Sequence, residues 1–173
     1  VGSEMCIRED IILDFNYTAS TRLILKQCGL SDEDIDNRLI KVHGEASNND
    51  IIFGVEDNAG IKKEHVFLRK AYNIKYKALN FSELYDRIKS VAIFGHSLGE
   101  TDHTYFNKLF QESCMYNKFS TNNNKEFWLF YYKENGYHCM MQQLDSLTHN
   151  SLTSFRQYNR VNFINTDKEK VFI

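Results

Sequence analysis

Short apolar or aromatic runs alternate with helical patterns along almost the whole chain. The runs lack a strict two-residue alternation, which is typical of strands that are buried on both faces of a parallel sheet. Because parallel neighbours need a long crossover, helices are expected between them. The predicted strands cover residues 10–15, 39–43, 50–55, 91–95, 126–132 and 161–165, and the predicted helices cover residues 19–28, 62–77, 82–89, 101–116 and 137–149.

This alternation predicts an α/β fold of the Rossmann-like kind, with three layers and a mostly parallel sheet that carries helices on both faces. A chain of 173 residues has the usual size of one domain. The sequence contains no repeat, no low-complexity tail and no interdomain linker. We therefore expect residues 1–173 to form a single α/β domain.

The charge and composition of the chain argue against a membrane, nucleic acid or a metal ion as a partner. The formal net charge is −2, and no apolar run approaches the roughly 18 residues that a membrane helix needs. The basic residues 62–77 are interpreted as a solvated helix face, with phosphate contact as the alternative. Widely spaced cysteines predict free thiols and no metal site. We expect a cytoplasmic protein without membrane contact, and nucleic acid is a less favoured partner than a small molecule.

Three of the predicted strands lead directly into polar residues. In open α/β sheets, ligands bind in the crevice beyond the carboxyl ends of the strands, so these residues are candidates for one ligand site. The segments are Asn16-Tyr17-Thr18, His43-Gly44 and Gly95-His96-Ser97-Leu98.

The segment from Gly95 to Gly99 permits two readings from the residues alone. It matches the Gly-x-Ser-x-Gly elbow of serine hydrolases, which makes Ser97 a candidate nucleophile, although no histidine further along the chain has a suitably separate acid. Alternatively, Ser97 is the N-cap of the next helix, and Glu100 completes a Ser-x-x-Glu capping box.

Several segments also occur together in the order and spacing of one protein family. They are Phe15-Asn16-Tyr17-Thr18, Val42-His43-Gly44, Ile52-Phe53-Gly54 with Glu56-Asp57, the run from Phe94 to Asp102, and the aromatic strand from Phe127 to Tyr132. In this order they resemble the bacteriophage abortive-infection AbiH family. AbiH proteins are in turn similar to sirtuin-like NAD-binding domains, which share the Asn-containing strand end, the His-Gly pair and the Gly-x-Ser-Leu loop.

The resemblance implies a phage-defence enzyme that hydrolyses NAD or a related nucleotide at its N-glycosidic bond. His43 is then the general base, and Asn16 orients the attacking water and the ribose. NAD is the substrate or ligand, and no metal is needed because nicotinamide already leaves readily. The implied ligand-binding residues are Gly44, Gly95, His96, Ser97, Leu98 and Asp102.

Two other functions stay open at this point. The first is a nucleotide-binding sensor or interaction module of the same fold that does not turn over its ligand. The second, less favoured, is the serine hydrolase that uses Ser97.

The chain lacks one part that the resemblance implies. None of its 8 glycines forms the Gly-x-Gly pair of a phosphate-binding loop after the first strand. The chain also has no initiator Met and enters a predicted strand at residue 10. We therefore expect the carboxyl-terminal part of a longer AbiH-like protein, whose incomplete sheet is completed by an amino-terminal half or by a second copy in a homo-oligomer.

Overall fold

The computed structural model describes residues 10–56, 59–72, 88–115 and 124–168. The chain divides into two compact units, residues 1–77 and residues 78–173, which we call the amino-terminal unit and the carboxyl-terminal unit. Each unit has its own small sheet, and every strand pair is parallel. The predicted Rossmann-like α/β class is therefore confirmed, whereas the single domain over residues 1–173 stays a prediction.

The amino-terminal unit is built on two short parallel strands joined by a pair of helices. Its elements are β1 (Ile12–Asp14), α1 (Ser20–Gln27), α2 (Asp32–Arg38) and β2 (Leu39–Lys41). Helix α2 begins after Ser31, whose hydroxyl accepts a hydrogen bond from the N–H of Asp34 at 3.1 Å. Its acidic first turn also suits the positive end of the helix dipole. Ile35 anchors this helix in the core and is fully buried.

The rest of this unit departs from the sequence prediction. Residues 50–55 do not form a strand; only Val55 makes an isolated parallel bridge, to Arg69. The reason is that this run bonds to loops, since the N–H of Ile52 donates to the carbonyl of His43 at 2.9 Å. The predicted helix 62–77 consists of the 3-10 helices Lys63–Leu68 and Lys70–Tyr72, and its remainder lies outside the described residues.

The carboxyl-terminal unit is a three-stranded parallel sheet with the strand order β3-β4-β5. A shorter helix than predicted joins the first two strands, and two helices join the last two. The elements are β3 (Ser90–Ile93), α3 (His103–Ser113), β4 (Glu126–Tyr131), α4 (Lys133–Leu147), α5 (Leu152–Tyr158) and β5 (Arg160–Asn165). Helix α5 was not predicted, because it is too short to show a helical period. The predicted helix 82–89 lies almost entirely outside the described residues.

Three phenylalanines form the centre of the carboxyl-terminal unit. Phe110 of α3, Phe127 of β4 and Phe155 of α5 are each fully buried. Their ring centroids lie 4.8 to 5.6 Å apart, the range in which aromatic pairs attract one another. This cluster packs two helices onto the middle strand of the sheet.

Among the described helices, none is both long and apolar enough to cross a membrane.

We expect Phe155→Ala to lower the free energy of unfolding of this unit by about 3–5 kcal/mol, because it removes a buried ring and leaves a cavity. Urea denaturation followed by circular dichroism measures the change. Met115→Ala is the matched control, since Met115 is 66% exposed. Its effect is expected to stay within about 0.5 kcal/mol. Equal effects of the two substitutions would contradict the packing described for Phe155.

Candidate functional site

Asn16 and His43 lie at the same edge of the amino-terminal sheet. Strands β1 and β2 run parallel, and Asp14 is in register with Lys41 at their last paired position. Asn16 and His43 each follow two residues later in the sequence. The two residues predicted to be catalytic therefore leave neighbouring strands at the same level, as expected for a ligand site at strand ends.

The His43 ring is packed against both neighbours of Asn16. Its centroid lies 5.5 Å from the Phe15 ring, in an edge-on arrangement, and 6.0 Å from the Tyr17 ring. His43 is only 5% exposed, whereas Tyr17 is 38% exposed. The imidazole is thus held between fixed aromatic surfaces, and Tyr17 forms the side of this packing that faces solvent.

Lys41 fixes the loop that carries Asn16. Its ammonium group donates to Asp14 Oδ2 at 2.8 Å, to the Asn16 carbonyl at 2.7 Å and to the Thr18 carbonyl at 2.6 Å. An ammonium has three N–H donors, and these three acceptors match them. The N–H of Asn16 also donates to Asp14 Oδ1 at 2.9 Å. The chain after β1 is therefore wrapped around the last residue of β2.

The Asp14 carboxylate is kept ionised by these contacts. Burial raises the pKa of this carboxyl and is the largest single influence on it. Hydrogen bonds from Lys41 and from the N–H of Asn16, with a further one from Thr21, act in the opposite direction. Together with the charge of Lys41 they bring the pKa of Asp14 below its ordinary value of 3.8. Asp14 and Lys41 thus form a charged pair at the site edge.

This pair makes the stability of the unit depend on pH. Because folding lowers the pKa of Asp14, its contribution is fully present above the ordinary value of 3.8 and is lost as the pH falls through the lowered folded-state pKa. We expect the free energy of unfolding to fall less steeply below about pH 4 in Asp14→Asn than in the unaltered protein. Urea denaturation at a series of pH values measures both slopes. Identical slopes would show that Asp14 does not titrate as described.

The backbone conformation at position 44 requires glycine. Its φ of +75° lies in the left-handed region, and a Cβ atom there would lie 2.2 Å from the carbonyl oxygen of Asp50. The Asp50 side chain also accepts a hydrogen bond from the N–H of Glu45 at 2.6 Å. Gly44 therefore permits the tight turn after His43, and its predicted contact with a ligand stays a prediction.

In the carboxyl-terminal unit, the predicted ligand-binding residues lie in one loop after β3. His96 organises this loop: its Nδ1 accepts a hydrogen bond from the N–H of Leu98 at 2.9 Å, and its Nε2 lies 3.3 Å from Asp102 Oδ2. Since Nδ1 accepts, the proton of the neutral ring is on Nε2, where it faces the carboxylate. His96 and Asp102 are therefore brought together, as partners of each other.

Leu98 anchors the same loop in the core. It is fully buried, although its φ of +54° is unusual for a residue with a bulky side chain. Its carbonyl lies 3.0 Å from Nε2 of His103, which also lies 2.9 Å from Oε1 of Gln143. Gly95 has a φ of +66° at the start of the loop. The backbone from Gly95 to Leu98 is thus turned back on itself, and the predicted ligand contacts of both residues stay predictions.

Ser97 is exposed, and the capping prediction for it is wrong. A 3-10 helix at Glu100–Asp102 intervenes before α3, and its N-cap is Gly99, so Ser97 lies too early to cap either helix. Within the described residues, no histidine forms a hydrogen bond with Ser97 Oγ. His96 and His103 instead bond to Leu98. Among the described contacts, Ser97 therefore has no histidine that could act as the general base of a serine hydrolase.

We accordingly expect a fluorophosphonate probe to leave Ser97 unlabelled under conditions that label a serine hydrolase fully, because an unactivated Ser hydroxyl is a weak nucleophile. Mass spectrometry of the intact protein and of its peptides measures the labelling, with Ser97→Ala as the blank. Rapid labelling that disappears in Ser97→Ala would restore the hydrolase reading.

Three residues that matter to the amino-terminal site were not predicted. Asp14 and Lys41 are charged residues inside apolar strand runs, and two opposite charges so placed are a recognisable signal of a buried pair. Phe53 was assigned to a strand, but its exposed ring lies 5.7 Å from that of Tyr17. Nothing in the sequence spacing indicates this contact.

Within the described ranges, no three His, Cys, Asp or Glu side chains cluster as a metal site.

Comparison with known proteins identifies one family. The sequence profile described as bacteriophage abortive infection AbiH matches residues 2–132, which is more than half of the 173-residue chain. This match confirms the resemblance seen in the ordered segments. No curated protein and no solved structure matches the chain.

Proposed function

Because the chain belongs to the bacteriophage abortive infection AbiH family, we propose that it acts in phage defence by hydrolysing NAD or a related nucleotide at the N-glycosidic bond. The family places the chain among phage-defence proteins; the reaction is our proposal. Consuming a nucleotide that every cell requires would stop growth of the infected cell, which is the outcome that abortive infection describes.

The chemistry needs few groups. The bond between the ribose and the cationic nicotinamide breaks with its electron pair going to the ring, which leaves as neutral nicotinamide. An oxocarbenium-like centre remains on the ribose, as in other glycoside hydrolyses. Water then bonds to this carbon and transfers a proton to His43, the general base. Asn16 hydrogen-bonds the water or a ribose hydroxyl and so directs the attack.

The observation that carries this proposal is the register of β1 and β2. It sets Asn16 and His43 at one level of one sheet edge, and the Lys41 ammonium holds the carbonyl of Asn16 at 2.7 Å. A general base and an orienting amide on a backbone fixed in this way satisfy the requirement for positioning, which supplies much of enzymatic rate acceleration.

In the carboxyl-terminal unit, taken by itself, the loop after β3 is proposed to bind a ligand. Ser97 is exposed and offers a hydroxyl for a ribose or phosphate oxygen. His96 and Asp102 keep the loop in shape through their contact at 3.3 Å. Gly95 contributes backbone to this loop that a ligand can approach closely, and Gly44 is proposed to do so separately in the amino-terminal unit.

The experiment is nicotinamide release from NAD by the protein, compared with Asn16→Ala and His43→Ala. General-base catalysis accounts for about 100- to 10,000-fold in rate, so we expect His43→Ala to lose at least about 100-fold. Asn16→Ala is expected to lose activity as well while binding NAD. His138→Ala is the matched control, because this side chain is 66% exposed and has no role in the proposed reaction.

The outcomes distinguish an enzyme that hydrolyses NAD from a sensor that only binds the nucleotide. Release that both site substitutions remove, with folding intact by circular dichroism, supports hydrolysis. Tight NAD binding without release, even with phage components added, would replace the enzyme by the non-catalytic sensor. Release that survives His43→Ala would exclude His43 as the base.

A further inference from the structure

Three rings form a row that begins at His43 and ends in solvent. The Tyr17 centroid lies 6.0 Å from that of His43 and 5.7 Å from that of Phe53, and each pair of planes is tilted by only 32° or 33°. Exposure increases along this aromatic row, from 5% at His43 to 38% at Tyr17 and 70% at Phe53. The row thus leads from solvent to the proposed general base.

Both exposed rings stand on a firmly held backbone. The carbonyl of Tyr17 accepts from the N–H of Ala46 at 2.8 Å, and the next carbonyl, that of Thr18, accepts from Lys41. Two further backbone bonds flank Phe53: the Ile52 N–H donates to the His43 carbonyl at 2.9 Å, and the Val55 N–H donates to the Leu68 carbonyl at 2.8 Å.

The segment after Phe53 is fixed by a charged pair as well. Lys70 donates to Glu56 at 2.9 Å, and Lys70 is only 6% exposed. The backbone N–H of Lys70 also donates to the carbonyl of Val55 at 2.9 Å. A largely exposed aromatic ring on such a rigid support loses little conformational freedom when a ligand covers it, which favours binding.

We propose that Tyr17 and Phe53 stack on the heteroaromatic ring of a nucleotide and guide it to His43. This inference rests on the proposed function and names the part of the nucleotide that the amino-terminal unit recognises. A planar ring is the occupant that fits, because the exposed surface consists of two aromatic rings, inclined by 33° to each other, that continue from the imidazole. The shared chemistry includes nicotinamide and adenine, and the experiment distinguishes these two sources.

The test places a fluorescent reporter in the row. Trp128 is the single tryptophan of the chain, so Phe53→Trp in a Trp128→Phe background reports on this position alone. Nicotinamide mononucleotide, adenosine monophosphate and ribose 5-phosphate are titrated separately. We expect saturable quenching by at least one of the first two and none by ribose 5-phosphate, which has no ring. Phe67→Trp in the same background is the control, since Phe67 is 63% exposed in the same unit.

Substitutions in the unaltered background then measure the contribution of the ring. Stacking of one base on an aromatic side chain is worth about 1–3 kcal/mol, so Phe53→Leu is expected to weaken the binding of the quenching nucleotide by about 5- to 150-fold. Phe53→Tyr restores a ring and is expected to restore affinity. Isothermal titration calorimetry gives both affinities. Both variants are expected to fold, because Phe53 is 70% exposed.

The results test the stacking proposal and the proposed function separately. Unchanged affinity in Phe53→Leu, equal quenching at Phe67→Trp, or no binding of either ring-bearing nucleotide would overturn the stacking proposal. If NAD is hydrolysed but Phe53→Leu has no effect, the stacking proposal fails and the proposed function stands. If ring-bearing nucleotides bind through Phe53 and no nicotinamide is released, the stacking proposal stands and the hydrolase does not.

Discussion

The buried ion pair between Asp14 and Lys41 is the interaction on which the candidate site depends. A charged pair removed from water stabilises a fold only when its remaining hydrogen-bonding groups are satisfied. Here they are satisfied by the site loop itself, because the ammonium also binds the carbonyls of Asn16 and Thr18. Losing Lys41 would therefore do more than remove one contact: it would leave a buried carboxylate unpaired and release the loop that carries Asn16.

Parallel pairing converts this local arrangement into a site. In a parallel sheet, neighbouring strands end at the same edge, and the register of Asp14 with Lys41 decides which later residues face each other. Asn16 and His43 are placed by the sheet, and their immediate surroundings by the aromatic rings. The placement of Asn16 and His43 at one sheet edge is therefore a consequence of strand register.

The loop after β3 is also held in place by side-chain contacts to its backbone, but the groups that make these contacts are different. His96 returns to the backbone of its own loop, accepts from the N–H of Leu98 and meets Asp102 at 3.3 Å. Side chains that bind nearby backbone can hold an irregular conformation against the alternatives open to a flexible loop. The left-handed φ of Leu98, at +54°, is maintained in this way, with its side chain fully buried. The two polar segments that follow β1 and β3 are thus stabilised separately, one by an ion pair and one by an imidazole.

Features that depend on neighbouring residues could be predicted from the amino-acid sequence. Short apolar runs separated by helical patterns indicated the parallel α/β class, and the ordered segments from Phe15 to Tyr132 indicated the family. The strand ends before Asn16 and His43 indicated one sheet edge. Contacts between residues that are distant in the chain depend on the folded arrangement. Asp14 and Lys41 are 27 residues apart, the Phe53 ring meets Tyr17 through a run that is not a strand, and a 3-10 turn removes Ser97 from its predicted cap. The physical reason is that periodicity reports which face of an element is buried, whereas pairings of this kind depend on strand register and on which loops the backbone hydrogen bonds reach.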